Sequence, residues 1–153
     1  MKNRLRRSLS AALRAFDNNQ LFFAKKSLAI TLGHQGKATI ADNDAAKILK
    51  FLGWFSFYEQ CFDEAQDSFH KVLNIELKTL GNQHPGVAHT TYLLAEIYRR
   101  QGFHAEAKEL YRASLKIIEQ SLGKDHYCYK LVFRDFNKLE SSPMPYWHTM
   151  AHA

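Results

Sequence analysis

A repeat is the feature that most narrows what this chain can fold into. Shifted by 42 residues, the sequence realigns on itself without a gap. Ala46 falls on Ala88, Leu52 on Leu94, Glu64 on Glu106, Ala65 on Ala107, Leu73 on Leu115 and Ile75 on Ile117, and the trio Leu80, Gly81, His84 returns as Leu122, Gly123, His126. These nine identities share one register, joined by similar pairs such as Phe69 with Tyr111. A fixed period of this length marks an array in which each unit is one supersecondary element that buries its apolar face against its neighbours.

Inside each unit the apolar spacing is helical. Val87, Thr91, Leu94, Ala95 and Tyr98 recur at steps of three and four, as do Ala107, Leu110, Tyr111, Leu115, Ile118 and Leu122. Gln101-Gly102-Phe103 separates the two runs, because glycine takes a left-handed helix end at little steric cost. Each unit therefore reads as an antiparallel helix pair. Asp63 and Gln66 have the spacing of a capping box at the start of one second helix. Leu80 and Leu122 are expected to pack the last helical turn, and Gly81 and Gly123 to end it. Downstream, Tyr129, Val132, Phe133, Phe136 and Leu139 predict one more helix that covers the last pair, as a solenoid end requires.

The pattern Leu94, Ala95, Tyr98, Gly102, Ala107, Tyr111, Ser114, Leu115 resembles the tetratricopeptide repeat family. The copy upstream, Leu52, Gly53, Ser56, Gln60, Ala65, Phe69, Val72, Leu73, departs at Ser56 and Gln60 and keeps the small and aromatic positions. A divergent first copy reads Ala12, Asn19, Ala24, Leu28 and Leu32. The usual unit has about 34 residues; the 42-residue spacing with its Leu-Gly-x-x-His seam is similar to the subtype of kinesin light chains. The resemblance implies an all-α, right-handed superhelical solenoid of antiparallel hairpins. Its repeats span about 4–38, 45–81 and 87–123, with a capping helix at about 126–140, a repeat domain of 1–140 and a flexible tail at 141–153 that, with Pro143 and Pro145, is expected to be extended or poorly ordered.

Composition agrees with an ordered helical chain: 46% apolar, 13% aromatic, seven Gly and three Pro among 153 residues. No apolar run approaches the roughly 18 residues of a membrane span. Cys61 and Cys128 have neither a metal-ligand nor a disulfide-framework spacing, which fits a reducing, cytoplasmic setting. The net charge of +6 equals that of residues 1–26, where Lys2, Arg4, Arg6, Arg7, Arg14, Lys25 and Lys26 face only Asp17. This basic start fits a first repeat helix or a targeting segment.

Nothing in the motifs points to catalysis. Phosphate-binding loops, nucleophile elbows and the helical zinc-protease pair are missing from the sequence. His84 and His126 belong to the repeat seam, and His34, His70, His89 and His104 have no ligand partners at useful spacing. His148 and His152 are four apart in the proline-containing tail, so no metal, cofactor or catalytic residue is assigned.

The resemblance instead implies a concave groove lined by the first helix of each repeat. Counting from Ala12, Gly53 and Ala95 places Arg6, Leu9, Leu13 and Phe16 there, then Lys47, Lys50, Trp54, Phe57 and Tyr58, and then His89, Tyr92, Glu96, Arg99 and Arg100. The capping helix adds Arg134 and Lys138. Basic and aromatic side chains together suit a protein or peptide with carboxylates beside bulky apolar residues, with Trp54 as anchor. The expected function is thus a protein-interaction adaptor without enzymatic activity. The rival reading is nucleic-acid or anionic-surface binding through the basic first helix, and self-association through an apolar end is a third.

Overall fold

The computed structural model describes residues 42–141, with Arg7, Ser10, Ala11, Arg14 and Lys26 upstream as exposed helical positions. The expected first repeat, Arg6 in its groove and residues 142–153 with His148 and His152 otherwise lie outside the described residues. Five helices follow one another: α1 (Asp42–Tyr58), α2 (Phe62–Leu80), α3 (Pro85–Gln101), α4 (His104–Leu122) and α5 (Tyr127–Ser141). No strand occurs among the described residues. Helices α1 and α2 form one hairpin and α3 and α4 the next, while α2 packs on α3 and α4 on α5. The result is an all-α repeat solenoid.

Both hairpin turns use the same backbone device. After α3, the Gly102 N–H donates to Arg99 and the Phe103 N–H to Tyr98, at 3.2 and 2.9 Å, which satisfies the carbonyls a helix end leaves open. The residue that makes the turn must be left-handed, and Gly102 has φ 86° and ψ 2°. After α1 the same pair of bonds runs from Gln60 to Phe57 and from Cys61 to Ser56, but here the left-handed residue is Gln60 at φ 61°. The departure from glycine noted in the sequence is therefore a strained copy of one turn rather than a different turn.

Two clusters form the core. Ala65, Phe69, Leu93, Leu94 and Ile97 join the first hairpin to α3. Ala88, Ala95, Ala107, Tyr111, Leu115, Ile118, Val132, Phe136 and Leu139 join α3, α4 and α5. The small residues do what the pattern requires, since Ala65, Ala95 and Ala107 are fully buried where helices come closest. At Gly53 the approach is tighter still: a Cβ there would sit 2.8 Å from the Phe69 ring.

Three local expectations change. Asp63 and Gln66 make no capping box, because Cys61 occupies the N-cap of α2 without a side-chain bond. Both side chains instead reach α3: the Gln101 amide donates to Asp63 at 3.0 Å, and the Gln66 amide donates to the Tyr98 hydroxyl at 2.9 Å. Leu80 and Leu122, at the last residues of α2 and α4, remain about two-fifths exposed rather than packed. The buried stripe of α3 is also wider than the spacing suggested, adding Ala88, Thr90, Leu93 and Ile97, since this helix is packed from both sides.

The histidines at the seams have a structural role. His84 is the N-cap of α3, and its Nδ1 accepts the Gly86 N–H at 2.9 Å. His126 repeats the bond to the Cys128 N–H at 3.2 Å. Each satisfies a donor that the start of a helix would otherwise leave open.

Candidate functional site

Helices α1, α3 and α5 carry the predicted groove positions, and the structure sorts them into two neighbouring hollows. The first is a cavity of about 130 Å³ lined by Trp54, Phe57, Phe69, Tyr92, Leu93, Glu96 and Arg100. Its aromatic wall is pre-assembled. Trp54 stacks on Tyr58 with centroids 6.0 Å apart and meets Phe57 and Phe69 edge-on at 6.1 and 6.3 Å, while Phe57 in turn packs on Phe62. Rings held by several neighbours lose little entropy when a ligand side chain enters between them. The guanidinium of Arg100 lies 5.8 Å from the Phe57 centroid, at the rim.

The second hollow, about 250 Å³, is ionic: Glu96, Arg99, His104, Asp135, Lys138 and Leu139 line it. Glu96 belongs to both. Arg99 donates to Glu96 through Nε at 3.3 Å and its terminal nitrogen at 2.7 Å, and the hydroxyl of buried Tyr111 donates to the same carboxylate. The Glu96 hydrogen bond, opposed by partial burial, holds the Arg99 pKa above its ordinary value. Burial first, then the bond to Glu96, pushes the Tyr111 phenol up.

On α5, Asp135 accepts from the Tyr92 hydroxyl at 3.0 Å, from Arg134 Nε at 3.1 Å and from Lys138 Nζ at 3.3 Å. Partial burial would raise its pKa, yet these three donors outweigh it and hold the carboxyl below its usual range. Burial, with Glu96 and Asp135 nearby, raises Tyr92.

A third polar node closes the seam between the hairpins. Glu76 of α2 is buried, and its two oxygens accept from Lys50 of α1 and from the Thr90 hydroxyl of α3, both at 2.6 Å. His89 keeps an exposed edge beside this node. Its pKa is lowered by desolvation and then by Lys50, with Glu76 acting in the opposite sense.

The structure thus brings together Trp54, Phe57, Tyr92 and Arg100 around one hollow and Arg99 and Lys138 around the other. Arg134 braces Asp135, Lys50 is drawn into the seam, exposed Lys47 lies 3.7 Å from Asp44, and Tyr58 backs Trp54. Sequence reasoning did not pick out Phe69, Leu93, His104, Asp135 or Leu139. Asp135 stands 42 residues after Leu93, a wall of the first hollow, but neither position carried a sequence signal of its own. The charge picture also differs from a simple basic groove. Arg99, Arg134 and Lys138 each face a carboxylate, whereas Arg100 has none within ion-pair distance among the described residues.

No group of three metal-ligating side chains occurs among the described residues. No helix there is long and apolar enough to cross a membrane.

The tetratricopeptide repeat family model matches residues 44–120 and 89–136, together more than half of the chain. The chain belongs to the tetratricopeptide repeat family. Among solved structures it is similar to a candidate kinesin light chain from Podosopora anserina with nearly identical TPR-like repeats, at 23% identity and a TM-score of 0.75 over 89% of this chain and 65% of that one. BtubC (BKLC) from P. vanneervenii follows at 16% identity and a TM-score of 0.73, over 91% of this chain and 53% of that one. The type III secretion translocator chaperone SycD of Yersinia enterocolitica matches at 14% identity with a TM-score of 0.68, over 92% and 86%. The chain therefore spans under two thirds of the length of the first two proteins, and these likenesses concern the fold. No protein of curated function matches the sequence significantly. The family is a scaffold for protein–protein contacts, and this chain carries that scaffold.

Proposed function

We propose that this protein is an adaptor that captures an extended segment of a partner protein on the concave face of α1, α3 and α5. The observation that carries the reading is the first hollow: a rigid aromatic wall with one cation, Arg100, poised at its rim without a carboxylate partner among the described residues. The segment inserts a bulky apolar side chain between Trp54 and Tyr92 and sets a carboxylate on Arg100. An anchor in a pre-formed pocket with a charged contact beside it is where interface energy concentrates. No catalytic step, metal or cofactor is invoked. The proposed repeat domain is 1–140, followed by the segment 141–153, in a cytoplasmic setting.

Selection of short peptides from a random display library on the full chain tests this. Enriched sequences should pair Trp, Phe or Leu with Asp or Glu. Trp54→Ala should weaken the best of them about 30-fold, and Arg100→Ala roughly fivefold. Binding indifferent to both substitutions would remove the groove as the site.

A second reading rests on the exposed Arg7, Arg14 and Lys26 upstream: nucleic-acid or anionic-surface binding through the basic first segment. It predicts binding that falls steeply with salt and is lost when Arg4, Arg6, Arg7 and Arg14 are neutralised. Binding that ignores salt would exclude it.

A further inference from the structure

Position 96 is the third-repeat counterpart of Trp54, and 42 residues further on stands Lys138. At one place on three successive first helices the chain has an aromatic, a carboxylate and an ammonium. The carboxylate sits where both hollows meet. It is held from three directions, by two nitrogens of Arg99 and by the Tyr111 hydroxyl, so it cannot turn aside when a ligand arrives. Arg99, the nearest cation to Arg100 in sequence, is thereby occupied.

We infer that Glu96 is the residue that sets the charge of the ligand: by masking Arg99 it limits the groove to a segment with a single carboxylate beside its apolar anchor, the one received by Arg100. A second carboxylate directed toward α5 meets Glu96 instead of a vacant guanidinium. Recruiting Arg99 would require breaking a two-point ion pair that is only one-third exposed on the arginine side and less on the other. Specificity here comes from a repulsive element placed next to an attractive one. The inference rests on the groove reading above, and the experiment keeps the two separable.

Three fluorescein-labelled synthetic peptides with a central Trp and no, one or two Asp residues would be titrated against the full chain by fluorescence anisotropy. The unmodified protein should bind the one-Asp peptide at least as well as the two-Asp peptide, and Arg99→Ala should change neither by more than about twofold. Glu96→Gln should tighten the two-Asp peptide roughly fivefold to tenfold by freeing Arg99, and Arg99→Ala in that background should cancel the gain.

Tyr111→Phe, which removes the phenol donor but keeps the Glu96–Arg99 pair, should leave the preference intact and so controls for altered packing. Equal losses from Arg99→Ala with and without Glu96→Gln, or no gain from Glu96→Gln, would overturn the assignment. Trp54→Ala read with the one-Asp peptide decides the groove reading separately. Independent of any peptide, succinate should shift the Arg99 Nε–H NMR resonance in Glu96→Gln and leave it in place in the unmodified chain. A shift of equal size in both would show that Arg99 is not masked.

Discussion

The hairpin α1–α2 and the hairpin α3–α4 meet the same physical demands with different side chains. The close-approach position is Gly53 in one and Ala95 in the other, the left-handed turn is Gln60 against Gly102, and the buried ring is Phe69 against Tyr111. At the last buried position of the second helix stand Glu76 and Ile118, and among the residues that line the first hollow Trp54 and Glu96. The close-approach and ring positions vary only among residues of like size, while the turn position holds a strained Gln60 in one hairpin and glycine in the other. Positions on the groove vary in kind, from indole to carboxylate. The first hairpin gives its hollow an aromatic wall and the second gives the neighbouring hollow ionic side chains, on two hairpins that share one turn.

Exchanging residues between the two hairpins tests this contrast most directly. The largest effect is expected at the rings: Phe69→Ala and Tyr111→Ala should each cost about 3–5 kcal/mol in urea unfolding, because a fully buried ring leaves a cavity. Tyr111→Phe, which makes the second hairpin resemble the first, should cost only about 1 kcal/mol, since Arg99 still satisfies Glu96. A loss as large as that of the alanine variant would mean that the hydroxyl, not the ring, anchors the hairpin.

Next comes the seam. Glu76→Ile copies the residue found at 118 and leaves the buried Thr90 hydroxyl and Lys50 without their acceptor, so a loss of about 2 kcal/mol is expected. A gain in stability would show that the polar node is a burden the first hairpin carries for another reason.

The turns should give smaller and opposite shifts. Gln60→Gly should stabilise by up to about 1 kcal/mol by relieving a left-handed conformation in a residue with a Cβ, and Gly102→Gln should destabilise by a similar amount. Thermal unfolding of the pair of variants decides it, and equal signs would refute the shared turn.

The weakest expected effect is titration of His89. Its folded pKa lies below the unfolded value, so its contribution to stability is present above the ordinary histidine value and falls away as the pH drops through it. His89→Gln should flatten the fall in stability that sets in as the pH drops below the ordinary histidine value of about 6.5, measured by urea midpoints. An unchanged slope would assign the acid sensitivity elsewhere.

The parts of this molecule that were legible in the sequence are those where one residue type is physically required. A seam with positive φ, a helix approach that admits only a hydrogen or a methyl group, and an N-cap acceptor each restrict the choice, so Gly81, Ala107 and His84 repeat and can be counted. Ion pairing across repeats restricts nothing local. Lys50 meets Glu76 over 26 positions and Tyr92 meets Asp135 over 43, and neither partner looks different from a solvated surface residue. Counting from the small residue reached Trp54, Phe57, Tyr92, Glu96, Arg99, Arg100 and Lys138, which line the two hollows, and missed which of the cations were already engaged. Thr90, Ser114 and Glu76 escaped the core reading for the same reason. Each is buried because a specific acceptor or donor waits for it: Thr90 and Glu76 meet each other, and the Ser114 hydroxyl donates to the Ala88 carbonyl.

The two seams reproduce each other almost to the degree. Gly81 and Gly123 have φ of 84° and 85° with ψ of 162° in both, and the residues that open α2 and α4, Cys61 and Phe103, agree as closely although one is a thiol and the other a ring. Each seam is completed within a few residues by a glycine and a histidine that bonds its own helix. Such a joint works like a standard coupling in a set of interchangeable parts: it transmits orientation without consulting what lies on either side. A repeat can then be duplicated, exchanged or rewritten on its inner face by successive single substitutions, and each new version inherits its angle to the neighbours unaltered.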